Sequence, residues 1–217
     1  MYIKICGLTK LDQAKAIAQM GVNAIGFICV PSSPRYIGKE AISQIIEEIS
    51  KSKVLDLDFV GVFLNASGSE IFETVLQTGL NAVQLHGDES PEFCDQLRSH
   101  LNQISPQIKL IKALRIKERS GLDQAHLFSN AVDVLLLDAY DPHMAGGTGK
   151  TIDWQMLRDF RPNCDWWLAG GLSPENIAQA IAQVDPQGVD VSSGVECSAG
   201  DKDLAKVERF VKAAIVV

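Results

Sequence analysis

Residues 2–10 read YIKICGLTK, and this stretch decides the fold. Its first five residues form an apolar run of strand length, and the amphipathic stretch 11–20 after the turn has the periodicity of a helix. Seven more runs of strand length follow, at 24–28, 59–64, 82–85, 110–114, 132–138, 166–169 and 189–191. Amphipathic stretches of helical length lie between or after them, at 39–49, 69–78, 91–101, 122–128, 151–160, 174–184 and 204–214. This alternation predicts parallel strands joined by crossover helices.

The eight strand-helix units favour a (β/α)8 barrel, the TIM barrel, built as a single α/β domain over residues 1–217. A doubly wound open sheet is the alternative. It is disfavoured because the first strand-helix turn, residues 6–10, lacks the G-x-G-x-x-G sequence of dinucleotide-binding sheets. Two helix starts are marked by Ser-Pro-Glu, at 90–92 and 173–175. In both, serine is expected as the N-cap and proline as the first helical residue.

Composition and charge exclude several classes of function. The chain has a net charge of -7 at pH 7, which argues against a nucleic-acid surface. Its five cysteines include no C-x-x-C pair and fit neither a disulfide framework nor a zinc site, so we expect reduced thiols and no metal. No run reaches the roughly 18 apolar residues of a membrane helix, and no signal segment opens the chain. A soluble, unprocessed, cytoplasmic protein is expected.

Cys6 ends the first strand run and is a candidate general base. Side chains alternate along a strand, so Lys4 and Cys6 face the barrel interior if Ile3 and Ile5 face the helices. An ammonium group beside the thiol is expected to favour the thiolate. A cysteine can instead be only a small buried apolar residue. That interpretation applies to three others, Cys29, Cys94 and Cys164.

Asp138 and His86 end two other strand runs. Asp138 is in phase with the apolar residues Val134 and Leu136, and a carboxyl group above an apolar floor is expected to have a raised pKa, which suits a general acid. The alternative for Asp138 is an ordinary strand-end turn or cap. His86 is in phase with Gln84. It is a candidate substrate contact or, alternatively, a hydrogen-bonded structural group.

Two glycine-containing loops follow the last two strand runs. They contain Gly170 and Gly171 in one loop, and Ser193 and Gly194 in the other. Backbone N–H groups at such glycines can approach a phosphate closely, and the loops after strands seven and eight are the usual phosphate site of these barrels. The sequence therefore predicts local phosphate binding by an acidic protein.

Two further loops carry candidate functions. Residues 145–151 read AGGTGKT, but a nucleotide-binding P-loop would need glycine at Met144, so we interpret the segment as a lid over Asp138. The proline-containing loop 31–37 presents Arg35, which could bind a carboxylate through two parallel N–H···O bonds. An ordinary surface arginine is the alternative for this residue.

Together these segments resemble the phosphoribosylanthranilate isomerase family. The matching segments stand in order along nearly the whole chain, at residues 4–9, 33–36, 84–87, 137–139, 146–151, 168–172 and 188–196. Two departures concern local packing: Cys29 stands where an aromatic residue is common, and residues 197–200 read CSAG in place of the more usual SSPG.

The resemblance implies a cofactor-free Amadori rearrangement of phosphoribosyl-anthranilate. It implies that Cys6 is the general base, that Asp138 is the general acid and that Arg35 binds the anthranilate carboxylate. It also implies a phosphate site at the two glycine loops, and the full substrate-binding set is then Arg35, His86, Gly147, Gly170, Gly171, Asp190, Ser192, Ser193 and Gly194. The only partner expected is the small-molecule substrate, with no nucleic acid or membrane, and the protein is expected to be a monomer or homodimer.

Other functions remain possible on the same fold. The related histidine-pathway isomerase and indole-glycerol-phosphate synthase also act on phosphosugars, but the histidine-pathway enzyme is expected to use two aspartates. A catalytically silent phosphosugar-binding module is a further alternative, because fold alone does not establish function. The presence of both Cys6 and Asp138 argues against such a module.

Overall fold

The computed structural model describes residues 1–52, 56–116, 118–138 and 154–216. Eight parallel strands pair in sequence order and close into a barrel, with the last strand bonded to the first. The strands are β1 Tyr2–Cys6, β2 Ala24–Ile28, β3 Asp58–Phe63, β4 Ala82–Leu85, β5 Lys109–Arg115, β6 Val134–Asp138, β7 Asp165–Ala169 and β8 Gly188–Val191. The predicted barrel is confirmed, and its closure excludes the open sheet.

Helices surround the barrel. They are α1 Leu11–Ala18, α2 Lys39–Ser50, α3 Gly68–Thr78, α4 Pro91–Leu101, α5 Ser120–Phe128, α6 Ile177–Val184 and α7 Leu204–Ile215. The predicted serine cap of α4 is confirmed, because Ser90 Oγ accepts a hydrogen bond of 3.2 Å from the N–H of Phe93. None of the helices in the described part of the chain is long and apolar enough to cross a membrane.

Two helix predictions were wrong in their extent. Helix α6 begins at Ile177 rather than Pro174, because the Asn176 side chain bonds the N–H of Ser173 and the carbonyl of Gly171, at 2.8 and 2.9 Å, and holds the preceding residues in a turn. The described part of the helix predicted at 151–160 is a one-turn 3-10 helix, Trp154–Leu157. Both of its end residues are buried, as expected where positions i and i+3 share a face.

Two layers of apolar side chains confirm the predicted alternation. Ile3 and Ile5 pack in the layer between barrel and helices, whereas Lys4 and Cys6 are buried on the other face of β1. The barrel interior contains Ala24, Val60, Ala82, Ile111, Ala113, Val134, Leu136, Trp167 and Ala169.

The amino end of the barrel is filled. The rings of Tyr2 and Trp167 stack with centroids 4.4 Å apart, and Asp58 accepts hydrogen bonds from the Tyr2 hydroxyl and the Lys109 ammonium group. We call these four side chains, Tyr2, Asp58, Lys109 and Trp167, the plug. Gly188 makes room for the plug, since a Cβ atom there would lie 2.5 Å from the Trp167 ring. The carboxyl end is the end left open.

A short hairpin that the sequence reading did not predict follows β8. Strands β9, Glu196–Ser198, and β10, Asp201–Lys202, pair antiparallel. Gly200 in their turn has φ of +78°, a backbone conformation that favours glycine. The hairpin lies between the loop after β8 and helix α7.

Candidate active site

One open cavity of about 610 Å³ lies at the carboxyl ends of the strands. It brings together ten of the predicted site residues, Cys6, Arg35, His86, Asp138, Gly170, Gly171, Asp190, Ser192, Ser193 and Gly194. The parallel direction of the strands causes this convergence, because all their carboxyl ends meet at one face. The remaining predicted residue, Gly147, and the predicted lid at 145–151 lie outside the described residues.

Cys6 lines the cavity and is buried beside an ion pair. Lys4 Nζ donates to Asp190 Oδ1 at 2.9 Å, and the Lys4 side chain is fully buried. Burial raises the pKa of the Cys6 thiol above its usual value, while the neighbouring Lys4 acts to lower it and Asp190 to raise it. The expected influence of Lys4 in favour of the thiolate is therefore present, but it does not outweigh burial. The physical reason is that desolvation is the larger effect and that Asp190 shares the lysine's charge.

Asp138 stands at the tip of β6 with its side chain 23% exposed, facing His86. His86 Nε2 lies 3.5 Å from Asp138 Oδ2, and His86 Nδ1 lies 3.0 Å from Gln84 Nε2. With the Gln84 amide nitrogen in this orientation Nδ1 is the acceptor, and the tautomer that fits is the one with its proton on Nε2, the ring nitrogen nearer Asp138. His86 thus has both features weighed from sequence: it lines the cavity and is held by a hydrogen bond.

The two glycine loops pack directly on one another. Gly170 and Gly171 have φ of +88° and +64°, so both adopt the left-handed region that favours glycine. A Cβ atom at Gly194 would lie 1.9 Å from the carbonyl oxygen of Leu172, so only glycine permits this approach of the two backbones. The result is a joint surface of backbone with small side chains at one end of the cavity.

Arg35 lies at the cavity wall with one edge of its guanidinium already engaged. Its Nε donates to Glu196 Oε1 at 3.0 Å and its Nη2 to Glu196 Oε2 at 2.7 Å. Gly7 leaves space for this side chain, because a Cβ atom there would lie 2.8 Å from Arg35 Cδ. Arg35 is therefore a fixed cavity residue rather than an ordinary surface arginine.

Sequence reasoning missed one residue that lines the cavity and two that lie behind its wall. Gln84 was noted only for its phase, and neither Glu196 nor Lys202, which pair at 2.7 Å, was singled out. Polar residues at strand-like positions after the second glycine loop were the available signal, but a hairpin of three and two residues is too short to recognise by period. Within the described ranges, no group of three or more His, Cys, Asp or Glu side chains is arranged to hold a metal ion.

A closed (β/α)8 barrel with ionisable side chains converging at the carboxyl ends of its strands is the architecture of a barrel enzyme. The model of one family, described as N-(5'phosphoribosyl)anthranilate (PRA) isomerase, matches residues 3–213. The N-(5'-phosphoribosyl)anthranilate isomerase of Trichormus variabilis is 52% identical over 207 residues, 95% of each chain. The chain belongs to the phosphoribosylanthranilate isomerase family and is thus an isomerase of tryptophan biosynthesis.

Solved structures agree with this assignment. The crystal structure of phosphoribosyl anthranilate isomerase from Thermotoga maritima is similar with a TM-score of 0.86 and 36% identity, over 100% of both chains. A second isomerase structure, in complex with reduced 1-(o-carboxyphenylamino)-1-deoxyribulose 5-phosphate, has a TM-score of 0.81 and 34% identity over 100% of both chains. That relative binds a ligand with a phosphate at one end and an aromatic carboxylate at the other.

Proposed function

We propose that the chain catalyses the Amadori rearrangement of N-(5-phosphoribosyl)anthranilate to 1-(2-carboxyphenylamino)-1-deoxyribulose 5-phosphate in the cytoplasm, without a cofactor. The observation that carries this proposal is the presence of a carboxylic acid and a cysteine, Asp138 and Cys6, in one cavity. They lie on β6 and β1, so a small substrate can lie between them.

The substrate is proposed to lie with its phosphate on the glycine loops and its carboxylate toward Arg35. The close-packed backbones of residues 170–171 and 193–194 provide a small surface on which N–H groups can approach a phosphate. Arg35 provides the positive charge for the carboxylate. Its Nε and Nη2 already donate to Glu196, so the edge formed by Nε and Nη2 is occupied. We assign the other edge, formed by Nη1 and Nη2, to the substrate carboxylate.

Asp138 is proposed to act first, as the acid. It gives its proton to the furanose ring oxygen, the bond from that oxygen to C1 breaks, and the anthranilate nitrogen lone pair forms a C1=N double bond. His86 faces the Asp138 carboxylate with Nε2–H and can stabilise it after the proton has left. The product of this step is a protonated Schiff base with an open sugar chain.

Cys6 is proposed to act second, as the base. Its thiolate removes the proton from C2, whose electrons form the C1=C2 double bond while the C1=N electrons return to nitrogen. The resulting enolamine becomes the ketone by losing the C2 hydroxyl proton and gaining a proton at C1. Atoms balance between substrate and product, so an acid and a base suffice.

Kinetics of Cys6→Ala and Asp138→Asn test this assignment. Substrate is generated from anthranilate and phosphoribosyl pyrophosphate by a transferase, and loss of the anthranilate-type fluorescence is followed. Each variant should lower kcat by roughly 10²- to 10⁴-fold with KM nearly unchanged, the range for removal of a positioned acid or base. Cys164→Ala, at the opposite end of the barrel beside β7, is the matched control and should keep wild-type kinetics. A large rise in KM at unchanged kcat would make Cys6 a binding residue instead.

A further inference from the structure

We propose that Glu196 and Lys202 are positioning residues that join the proposed carboxylate site at Arg35 to the proposed phosphate loop at Ser192. Through them, the two ends of the substrate site are held as one unit. The inference rests on the substrate placement proposed above. It assigns a role to the unpredicted hairpin β9–β10, which carries both residues.

Glu196 is the centre of a buried hydrogen-bond network. Its carboxylate receives Nε and Nη2 of Arg35 at 3.0 and 2.7 Å, Nζ of Lys202 at 2.7 Å and the N–H of Gly200 at 3.2 Å. The side chain is only 4% exposed. Burial acts to raise the pKa of Glu196, but the bonds from Arg35 and Lys202 outweigh it and hold the pKa below its usual value. Glu196 is therefore a carboxylate anion that both cations share.

Lys202 connects this anion to the loop after β8. Its fully buried Nζ donates to the carbonyl oxygen of Ser192 at 3.1 Å and lies 3.4 Å from Ser192 Oγ. Ser192 lines the cavity immediately before the proposed phosphate-binding residues Ser193 and Gly194. A lysine held in this way fixes the backbone at the entry to the phosphate loop.

The hairpin itself is anchored, so the network cannot swing away from the cavity. The Gln13 side chain on α1 bonds both the N–H and the carbonyl of Lys202, each at 3.0 Å. Thr9 Oγ1, in the loop after β1, donates to the carbonyl of Gly200 at 2.7 Å. The hairpin therefore contacts the loop that follows Cys6 as well as Arg35 and Ser192.

This arrangement has a consequence for binding rather than for the chemical step. Neither Glu196 nor Lys202 lines the cavity, so neither touches the reacting atoms. What they supply is preorganisation: the Arg35 fork and the Ser192 backbone are ordered before the substrate arrives, which lowers the entropy lost on binding. Their removal should thus raise KM far more than it lowers kcat.

The test compares Glu196→Gln with the double variant Glu196→Gln/Lys202→Met. The single variant leaves two cations beside a neutral amide, and a buried lysine without its anion can prevent folding. The double variant removes anion and cation together and keeps the experiment informative. The matched control is Glu208→Gln, which breaks the exposed pair of Glu208 with Lys212 on α7.

We expect KM to rise roughly 10- to 100-fold in the Glu196 variants, as for loss of a hydrogen bond to a charged group, with kcat within about threefold of wild type. Inhibition by inorganic phosphate should weaken as well, because the network also supports Ser192. Glu208→Gln should change none of these quantities. A double variant that keeps the wild-type KM would overturn the proposal, and so would a variant in which kcat falls while KM is unchanged. The proposal would also be overturned if kcat fell by the same factor as KM rose and the melting temperature fell with them, because that pattern indicates a general loss of structure.

Arg35→Met separates this inference from the proposed function. It should raise KM without changing phosphate inhibition, since Lys202 still holds Ser192, and adding Glu196→Gln to it should then weaken phosphate inhibition. If phosphate inhibition in the combined variant equals that of Arg35→Met alone, Glu196 does not influence the proposed phosphate loop, and the proposal is wrong. An inactive wild-type protein would instead refute the proposed reaction, and direct binding of inorganic phosphate to the same variants, measured by isothermal titration calorimetry, would still decide the role of the network.

Discussion

At the scale of single residues, Cys6 shows how burial opposes the chemistry proposed for it. A base must be deprotonated to act, and burial raises the pKa of the Cys6 thiol. The thiolate fraction therefore increases with pH and is small at neutral pH. Lys4 limits the rise in the Cys6 pKa, because its ammonium group favours the thiolate. The bond from Lys4 to Asp190 holds the ammonium group in place.

The pH dependence of Cys6 alkylation follows from this balance, because the thiolate is the form that reacts. We expect the rate of alkylation by iodoacetamide to rise with pH and to level off above the ordinary thiol pKa of about 8.5. Lys4→Met removes a cause that lowers the Cys6 pKa and leaves Asp190, which raises it, without its partner. Both changes act in one direction, so the rise should move to still higher pH.

Alkylation of Cys6, followed by mass spectrometry of its peptide from about pH 6 to pH 10, checks the Lys4 prediction. Lys15→Met is the control, because Lys15 pairs with Glu48 on the helical surface and should leave the profile unchanged. Identical profiles for Lys4→Met and wild type would show that Lys4 does not lower the pKa of the Cys6 thiol.

At the scale of elements, the loops after β7 and β8 depend on one glycine contact. A Cβ atom at Gly194 would meet the carbonyl oxygen of Leu172 at 1.9 Å and Ser173 Cα at 3.3 Å. Both neighbours are backbone atoms, so the loops must separate to accept it. Gly194→Ala should therefore raise the inhibition constant for inorganic phosphate at least tenfold, which corresponds to about 1.4 kcal/mol.

Gly121→Ala is the control for Gly194→Ala. Gly121 lies in α5, where the nearest neighbour of an added Cβ is the Ile116 side chain at 3.4 Å. Alanine is the better helix former by about 1 kcal/mol, so this variant should be at least as stable as wild type in a urea titration and should bind phosphate normally. Wild-type phosphate affinity in Gly194→Ala would show that the two loops do not form the phosphate site.

The sequence predicted the elements that repeat and missed those that do not. Strand period and parity placed Cys6 and Asp138 on one face, because alternation along a strand is a local property. The contacts of Glu196 join residues far apart in sequence, 161 positions in the case of Arg35, and no local period reports such a contact. The start of α6 was misplaced for a related reason: the Asn176 side chain closes a turn where the Ser-Pro-Glu sequence suggested a helix.

At the scale of the whole molecule, we expect the two ends of the barrel to divide stability from activity. The amino end is filled by the stack of Tyr2 on Trp167, and the carboxyl end holds the cavity. Sequence alone predicted the active end from the strand tips, whereas the plug depends on side chains from several strands that meet only when the barrel closes. A substitution of one type, glycine to alanine, can probe both ends.

Gly188→Ala and Gly26→Ala are the matched pair for this division. At Gly188 the new Cβ would lie 2.5 Å from the Trp167 ring, and at Gly26 it would lie 2.7 Å from Cys6 Sγ. Overpacking of a filled core costs about 1–3 kcal/mol, so Gly188→Ala should lower the free energy of unfolding by that amount in urea and leave kcat/KM unchanged. Gly26→Ala should displace the proposed base and lower kcat by at least tenfold, because a shift of about 1 Å at a reacting group can cost 10²-fold. Equal losses of kcat in both variants would contradict the division, since the plug would then also position Cys6.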